Sequence, residues 1–229
     1  MLILGISSAV QALEVALVEE QKVLVQYSSS RDIRTENLVK YIDCIFAECR
    51  RKISELSAVA VTVGPGSYGG LRGGLAVAKG LSQASGVSII GVSTLEAIAH
   101  NMEEIKGLVI VAAHACKDEY NVAAFGGSGD EIRRVTEDFV VSGDLLSTVL
   151  AKVSGEIHLA SARTDIFLRI KNLNPQTKIK QAGAWEALPH AAVVAKLGME
   201  ELKKGKISDY LTLSPHYSHE PNIREYKSR

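Results

Sequence analysis

Short apolar blocks open the chain. Positions 2–7, 13–18 and 22–26 are rich in Leu, Ile, Val and Ala, and the polar turn Glu19-Glu20-Gln21 separates the last two. Three strand-length runs in quick succession predict an antiparallel meander. The period then changes. Leu38, Tyr41, Ile42, Ile45, Phe46 and Cys49 recur at helical spacing, with Thr35 placed to cap the start and Glu36 in the first turn. Arg50, Arg51 and Lys52 suit the negative end of that helix dipole. A continuous apolar run over 58–63 predicts a strand leading into GPGSYGGLRGG. A helix over about 70–84, a strand over 87–92 and a short helix over 94–101 follow.

The second half repeats the plan in weaker form. Strands are predicted over 108–113 and 119–125, then a turn at Gly126-Gly127-Ser128-Gly129, a strand from Ile132, a helix over 144–153 and a strand over 157–160. The stretch from Asn172 to Lys178 reads as loose chain, and Pro189 sits where the first position of a helix running to Lys204 would be. A meander followed by helix–strand crossovers, given twice, is the order of two tandem ribonuclease-H-like lobes. The expected class is therefore α/β with the actin-like ATPase (ASKHA) fold. The expected lobes are 1–103, carrying the glycine loop, and 104–229, a degenerate copy with a polar C-terminal tail.

Charge narrows the possible functions. Lys+Arg and Asp+Glu each number 26 in 229 residues, so the formal net charge is zero. A domain that grips phosphate backbones unaided usually carries a basic patch and a high pI. Any nucleic acid served by this chain is expected to be held through a complex. Cys44, Cys49 and Cys116 form no CxxC pair, and their odd number fits a reducing, cytoplasmic compartment. The N-terminus lacks a basic region before its apolar run, and no apolar run reaches the roughly 20 residues of a membrane span. No membrane association and no signal peptide are expected.

The loop Gly64-Pro65-Gly66-Ser67-Tyr68-Gly69-Gly70 lies between a buried strand and a helix. Glycines permit a sharp turn, and the free N–H groups of a helix start can face an anion, so Gly64, Gly66, Ser67 and Tyr68 form a candidate phosphate loop. The bland reading is a tight turn. Gly64, Gly66 and Gly69 also satisfy GxGxxG, but the next strand ends Gly91-Val92-Ser93 without the acidic residue of a dinucleotide site. A nucleophile elbow at Ser67 would need glycine where Pro65 stands. The pair His216 and His219 lies in a polar tail and reads as solvated or locally bonded; no metal site is expected.

The stretch GPGSYGGLRGGLAVAKGL resembles the GPGSFTGLRIGLAxAKGL signature of the TsaB (YeaZ) family, subunits of the bacterial machinery that makes N6-threonylcarbamoyladenosine in tRNA. LILGISSA resembles the family's ILAIDTS strand, RTENL its HSExL helix start, GVSTLEAIA its VSSLEALA, and SPHYS its terminal PxYLR. The resemblance runs in order along most of the chain. It implies an actin-like fold without the metal-binding histidine pair of the catalytic subunit TsaD. The pattern departs at Ser7, where the family has Asp, at His114-Ala115-Cys116, where it has Asp-Ala-Arg, and at Arg34, where many relatives have His. A serine at position 7 cannot supply the charge that holds a nucleotide's metal.

Gly70, Gly73, Gly74 and Gly80 fall inside the second predicted helix, and each costs up to about 1 kcal/mol against alanine. On a helical wheel Gly70, Gly73, Gly74, Val77 and Leu81 share one side, and the first helix also carries a broad apolar face that includes Leu38, Val39, Ile42 and Phe46. The residues alone favour burial of both helices inside one domain. The resemblance instead implies that Leu38, Val39, Ile42, Phe46, Gly70, Gly73, Gly74 and Val77 meet TsaD or a second copy of the chain. The resulting expectation is an accessory subunit with no catalytic residue and no intrinsic cofactor, joined by TsaD and TsaE, with ATP or ADP only at the partner interface. The competing expectation is an actin-fold ATPase or small-molecule kinase acting through the glycine loop.

Overall fold

The computed structural model describes residues 1–10, 12–29, 37–102, 104–129 and 131–218. The expectations for Arg34, Thr35, Glu36 and His219 lie outside these residues.

The first half follows the apolar blocks closely. Strands β1 (Leu2–Ser7), β2 (Leu13–Glu19) and β3 (Lys22–Ser29) form the meander, then α1 (Leu38–Cys49), β4 (Ala58–Gly64), α2 (Tyr68–Ser85), β5 (Ser88–Ser93) and α3 (Thr94–Ala99) complete it. Arg50 ends α1 in a left-handed conformation, and Arg51 turns away from the helix end to pair with Glu19 at 2.7 Å and Glu55 at 3.0 Å. This glycine-free end differs from that of α2, which Gly86 closes at φ +72°.

The second half contains β6 (Lys106–His114), β7 (Glu119–Ser128), β8 (Ile132–Arg134), β9 (Phe139–Ser142), α4 (Gly143–Leu150), β10 (Glu156–Ala160), α5 (Asp165–Leu173), β11 (Lys178–Gln181) and α6 (Ala191–Lys203). Three of these were not legible. In α5 only Ile166 and Ile170 are buried, and β9 and β11 together bury one residue, Ile179. Pro189 stands one place outside the N-cap residue His190, so it precedes α6 and is not its first residue.

The two sheets share one plan. The first has the order β3-β2-β1-β4-β5; the second, read from its other edge, is β8-β7-β6-β10-β11, with β9 also on β7. In each, the meander strands pair antiparallel and the crossover strands parallel. This duplication is the α/β architecture that the sequence order implied. α1 and α2 cover one face of the first sheet over Leu4, Ile6, Val59 and Val61. The helices that follow each fifth strand cross over. α3 packs on the second sheet against Val109, Val111 and Phe125, while α6 packs on the first against Ile3, Ala58 and Ala60.

α6 is seated by a buried carboxylate. Glu14 accepts hydrogen bonds from the Ala191 amide at 3.0 Å, Gln26 Nε2 at 3.1 Å and Ser28 Oγ at 3.0 Å, with His190 Nδ1 at 3.2 Å. A charge taken out of water is tolerated only when so completely bonded. It also faces the positive end of the α6 dipole.

The second core has a comparable polar tie. The fully buried Tyr120 donates to Asp165 Oδ2 at 2.6 Å. Burial raises the Tyr120 phenol well above its ordinary range, and the Asp165 carboxylate adds to that rise. Burial pushes the Asp165 carboxyl up, but the Tyr120 and Arg163 hydrogen bonds outweigh it and hold the group below its usual value. Tyr120→Phe is expected to cost about 1.5 kcal/mol in urea denaturation at neutral pH. Asp165 has a depressed folded value, so its stabilisation is present above the unfolded value and is lost as pH falls through the folded one. The gap between wild type and variant should therefore narrow in acid.

Candidate functional site

The glycine loop is built on the end of β4 and the start of α2. The Ser67 amide donates to the Ala9 carbonyl at 2.6 Å, and Ser67 Oγ accepts from the Gly70 amide at 3.4 Å. Leu71 N donates to the Ser67 carbonyl at 2.9 Å. Ser67 is thus the α2 N-cap, the ordinary use of serine at such a corner. Gly64 lies beneath the His216 backbone, and Gly66 lies against the Ala9 carbonyl, where a Cβ would overlap it. Much of the loop's hydrogen-bonding capacity is therefore taken up within the protein. Tyr68 stands at the rim, 40% exposed.

The loop opens on a cleft of about 1440 Å³ between the two sheets. Ala9, Ala112, His114, Cys116, Lys117 and Arg163 contribute to its walls, and no carboxylate does among the described residues. Ser7, at the end of β1, is 1% exposed. Arg163 is already paired with Asp165 at 3.1 Å, and His114 Nε2 faces the Lys117 carbonyl at 2.9 Å. The Cys116 thiol is raised above its usual range by its hydrogen bond to Glu119, so it is not an activated thiolate. Among the described residues the cleft walls mix apolar and polar groups with the cations Lys117 and Arg163, and they offer no paired carboxylates for acid–base chemistry.

The second candidate surface is the outer side of α1 and α2. Leu38, Ile42 and Phe46 turn inward into the first core, whereas Val39 is 53% exposed. Gly70 and Gly74 also turn inward. A Cβ on Gly70 would overlap the Ser8 carbonyl, and one on Gly74 would overlap the Ser8 hydroxyl. These two glycines let α2 lie close to its own β1–β2 loop, which corrects the expectation that they face a partner. Gly73 and Val77 are half-buried at the boundary.

The outward stripe is Gly69, Arg72, Gly73, Ala76 and Gly80. Among the described residues, a Cβ on Gly69 or Gly80 would meet nothing within 4 Å. The sequence reasoning missed Gly69, Ala76 and Gly80, although a signal existed. At 100° per residue Leu71, Leu75, Ala78 and Ser82 define the inward side, and the missed residues lie roughly opposite.

With this geometry in place, known proteins give the following matches. A family model for TsaD: tRNA N6-adenosine threonylcarbamoyltransferase matches residues 30–175. The tRNA threonylcarbamoyladenosine biosynthesis protein TsaB of Bacillus subtilis is 31% identical over 110 residues, 48% of each chain. The tRNA N6-adenosine threonylcarbamoyltransferase of Carboxydothermus hydrogenoformans is 34% identical over 145 residues, 54% of this chain and 44% of that one. The chain thus spans about half the length of the curated relatives it matches. YeaZ from Pseudomonas aeruginosa superposes with a TM-score of 0.78 at 20% identity, covering 94% of this chain and 99% of that one, which establishes the fold.

Proposed function

The chain belongs to the TsaB (YeaZ)/TsaD family of tRNA threonylcarbamoyladenosine biosynthesis proteins, and on that premise we propose that it is a non-catalytic scaffold subunit. It acts with TsaD in forming the threonylcarbamoyl group on the adenosine next to the anticodon, position 37, in tRNAs reading codons that begin with A. TsaD docks on the outer side of α1 and α2, and TsaE joins the same assembly. A second copy of this chain can use that side when TsaD is absent. The tRNA is reached only through the complex.

The observation that carries this reading is the open space around Gly69 and Gly80. Glycine inside a helix is unfavourable by up to about 1 kcal/mol against alanine, and no packing among the described residues compensates at these two positions. A partner backbone approaching the stripe closely would. Val39 on α1 adds exposed apolar surface. The cleft supports the accessory role, since its walls among the described residues offer no carboxylate for a nucleotide's metal. A nucleotide belongs at the partner interface in this reading.

The rival, an ATPase or kinase using the glycine loop, requires turnover by the isolated chain. Phosphate release from magnesium ATP is expected to equal that of a buffer control. Metal-dependent release that disappears in Ser67→Ala would overturn the scaffold reading.

A further inference from the structure

The segment after α6 returns to the first sheet and runs along it toward the cleft. Ser208 N donates to the Ile89 carbonyl at 2.9 Å, and Gly91 N donates to Ser208 Oγ at 3.2 Å, which places this segment on the outer edge of β5. Tyr210 and Leu213 pack on the first core. His216 N then donates to the Val63 carbonyl at 2.7 Å, directly above the start of the glycine loop.

Two residues finish the path. The Tyr217 ring lies 4.9 Å from the Tyr68 ring, and its hydroxyl accepts from Arg72 Nε at 3.0 Å. The same guanidinium sits 4.0 Å from the Tyr68 ring centre, so one cation is shared by two aromatic groups. Ser218 Oγ is hydrogen-bonded to Asn121 Oδ1, on β7 of the second sheet. Both Tyr217 and Ser218 line the cleft. One stretch of chain is therefore fastened to the first sheet at Ile89 and Val63, to α2 at Tyr68 and Arg72, and to the second sheet at Asn121, across the cleft mouth.

We propose that residues 208–218 are a clasp that sets the opening of the inter-lobe cleft, with Tyr217 as its pin and Ser218–Asn121 as its hook. The position of each tie explains its part. The β5-edge bonds and the apolar anchors fix the near end on a rigid sheet. The pin and hook sit at the solvent-facing end, where an aromatic contact and a single hydroxyl are reversible. The pin also rests on the first turn of α2, beside the exposed Gly69. A partner covering that turn meets Arg72, so the clasp connects the outer side of α2 with the cleft. That connection rests on the function proposed above, whereas the clasp itself does not.

The test uses the isolated full-length chain and two native thiols. Cys44 is exposed on α1 and Cys116 is exposed on the second lobe at the cleft. In a Cys49→Ala background, nitroxides on these two thiols report the inter-lobe distance by pulsed electron resonance. The intact chain should give one narrow distribution. Tyr217→Ala should lengthen and broaden it, and amide exchange over residues 66–71 should accelerate about tenfold or more as local opening becomes easier. Tyr217→Phe retains the ring contact and should stay near wild type in distance.

An unchanged distance in folded Tyr217→Ala overturns the proposal. Faster exchange without a distance change does so too, because the segment would then only cover the loop. Should Tyr217→Ala fail to fold, Ser218→Ala carries the same test, since it removes one exposed hydroxyl and leaves both cores intact. Its distance distribution is expected to broaden; a distribution identical to wild type would again overturn the clasp.

Discussion

Replacing Gly70 with leucine is expected to lower the melting temperature by roughly 4–8 °C, the equivalent of about 2 kcal/mol net in a domain of this size. The cause is local and specific. A Cβ at Gly70 would overlap the Ser8 carbonyl oxygen, which is backbone and cannot rotate aside. Either α2 lifts from the β1–β2 loop or the loop shifts, and both disturb the packing of Leu71 and Leu75 on the first sheet. Overpacking of this kind usually costs about 1–3 kcal/mol, and the four heavy atoms of leucine place the change at the upper end. The gain in helix propensity, up to about 1 kcal/mol, offsets only part of it. Differential scanning calorimetry checks the value. A variant that melts with wild type would mean that α2 does not lie against Ser8.

Gly74 provides a graded comparison. Its obstacle is the Ser8 hydroxyl, the end of a short side chain that can adopt another rotamer. Gly74→Ala should therefore cost less than Gly70→Ala. The two residues were grouped together on the helical wheel, and only the coordinates distinguish a backbone obstacle from a movable one.

Much of the fold was legible because its strands are continuous apolar runs. β1, β2 and β4 are buried along nearly their whole length, and such runs are visible without periodicity. The duplicated order followed from them. α5 was hidden because charged and polar residues interrupt its narrow apolar side, and β11 because Lys178, Lys180 and Gln181 surround one buried isoleucine. The crossing of α6 onto the first sheet is a long-range event. It depends on Gly5 lying under the Ala191 carbonyl and on Glu14 meeting the helix start, neither of which has a local signature.

The burial of the candidate residues was not legible in the sequence. Leu38, Ile42, Phe46, Gly70 and Gly74 were expected to face a partner, yet they serve the protein's own core. A wide arc of apolar and small residues on a helix satisfies two neighbours at once, and composition does not say which part faces which. Exposure decides it: the outward part is Gly69, Arg72, Gly73, Ala76 and Gly80, with Val39 adding exposed apolar surface on α1. The glycine loop was likewise recognised, but its serine caps α2 and its neighbours support the C-terminal segment.

The central claim is that the outer side of α2 exists for a partner, and Gly80→Leu separates that role from folding. Among the described residues nothing lies within 4 Å of a Cβ at this position, so the isolated variant should keep its circular dichroism spectrum. It should also melt at or slightly above wild type, because leucine is the better helix former. A partner packed on the stripe would meet four added heavy atoms where close backbone approach had been possible. A loss of about 2 kcal/mol or more is expected, the scale of an interface hot spot, which weakens the dissociation constant roughly 30-fold. The decisive measurement is the affinity of purified Gly80→Leu for TsaD by titration calorimetry, run beside wild type. The account predicts an affinity at least about 30-fold weaker in a variant of unimpaired stability; equal affinity for TsaD in wild type and variant would contradict it.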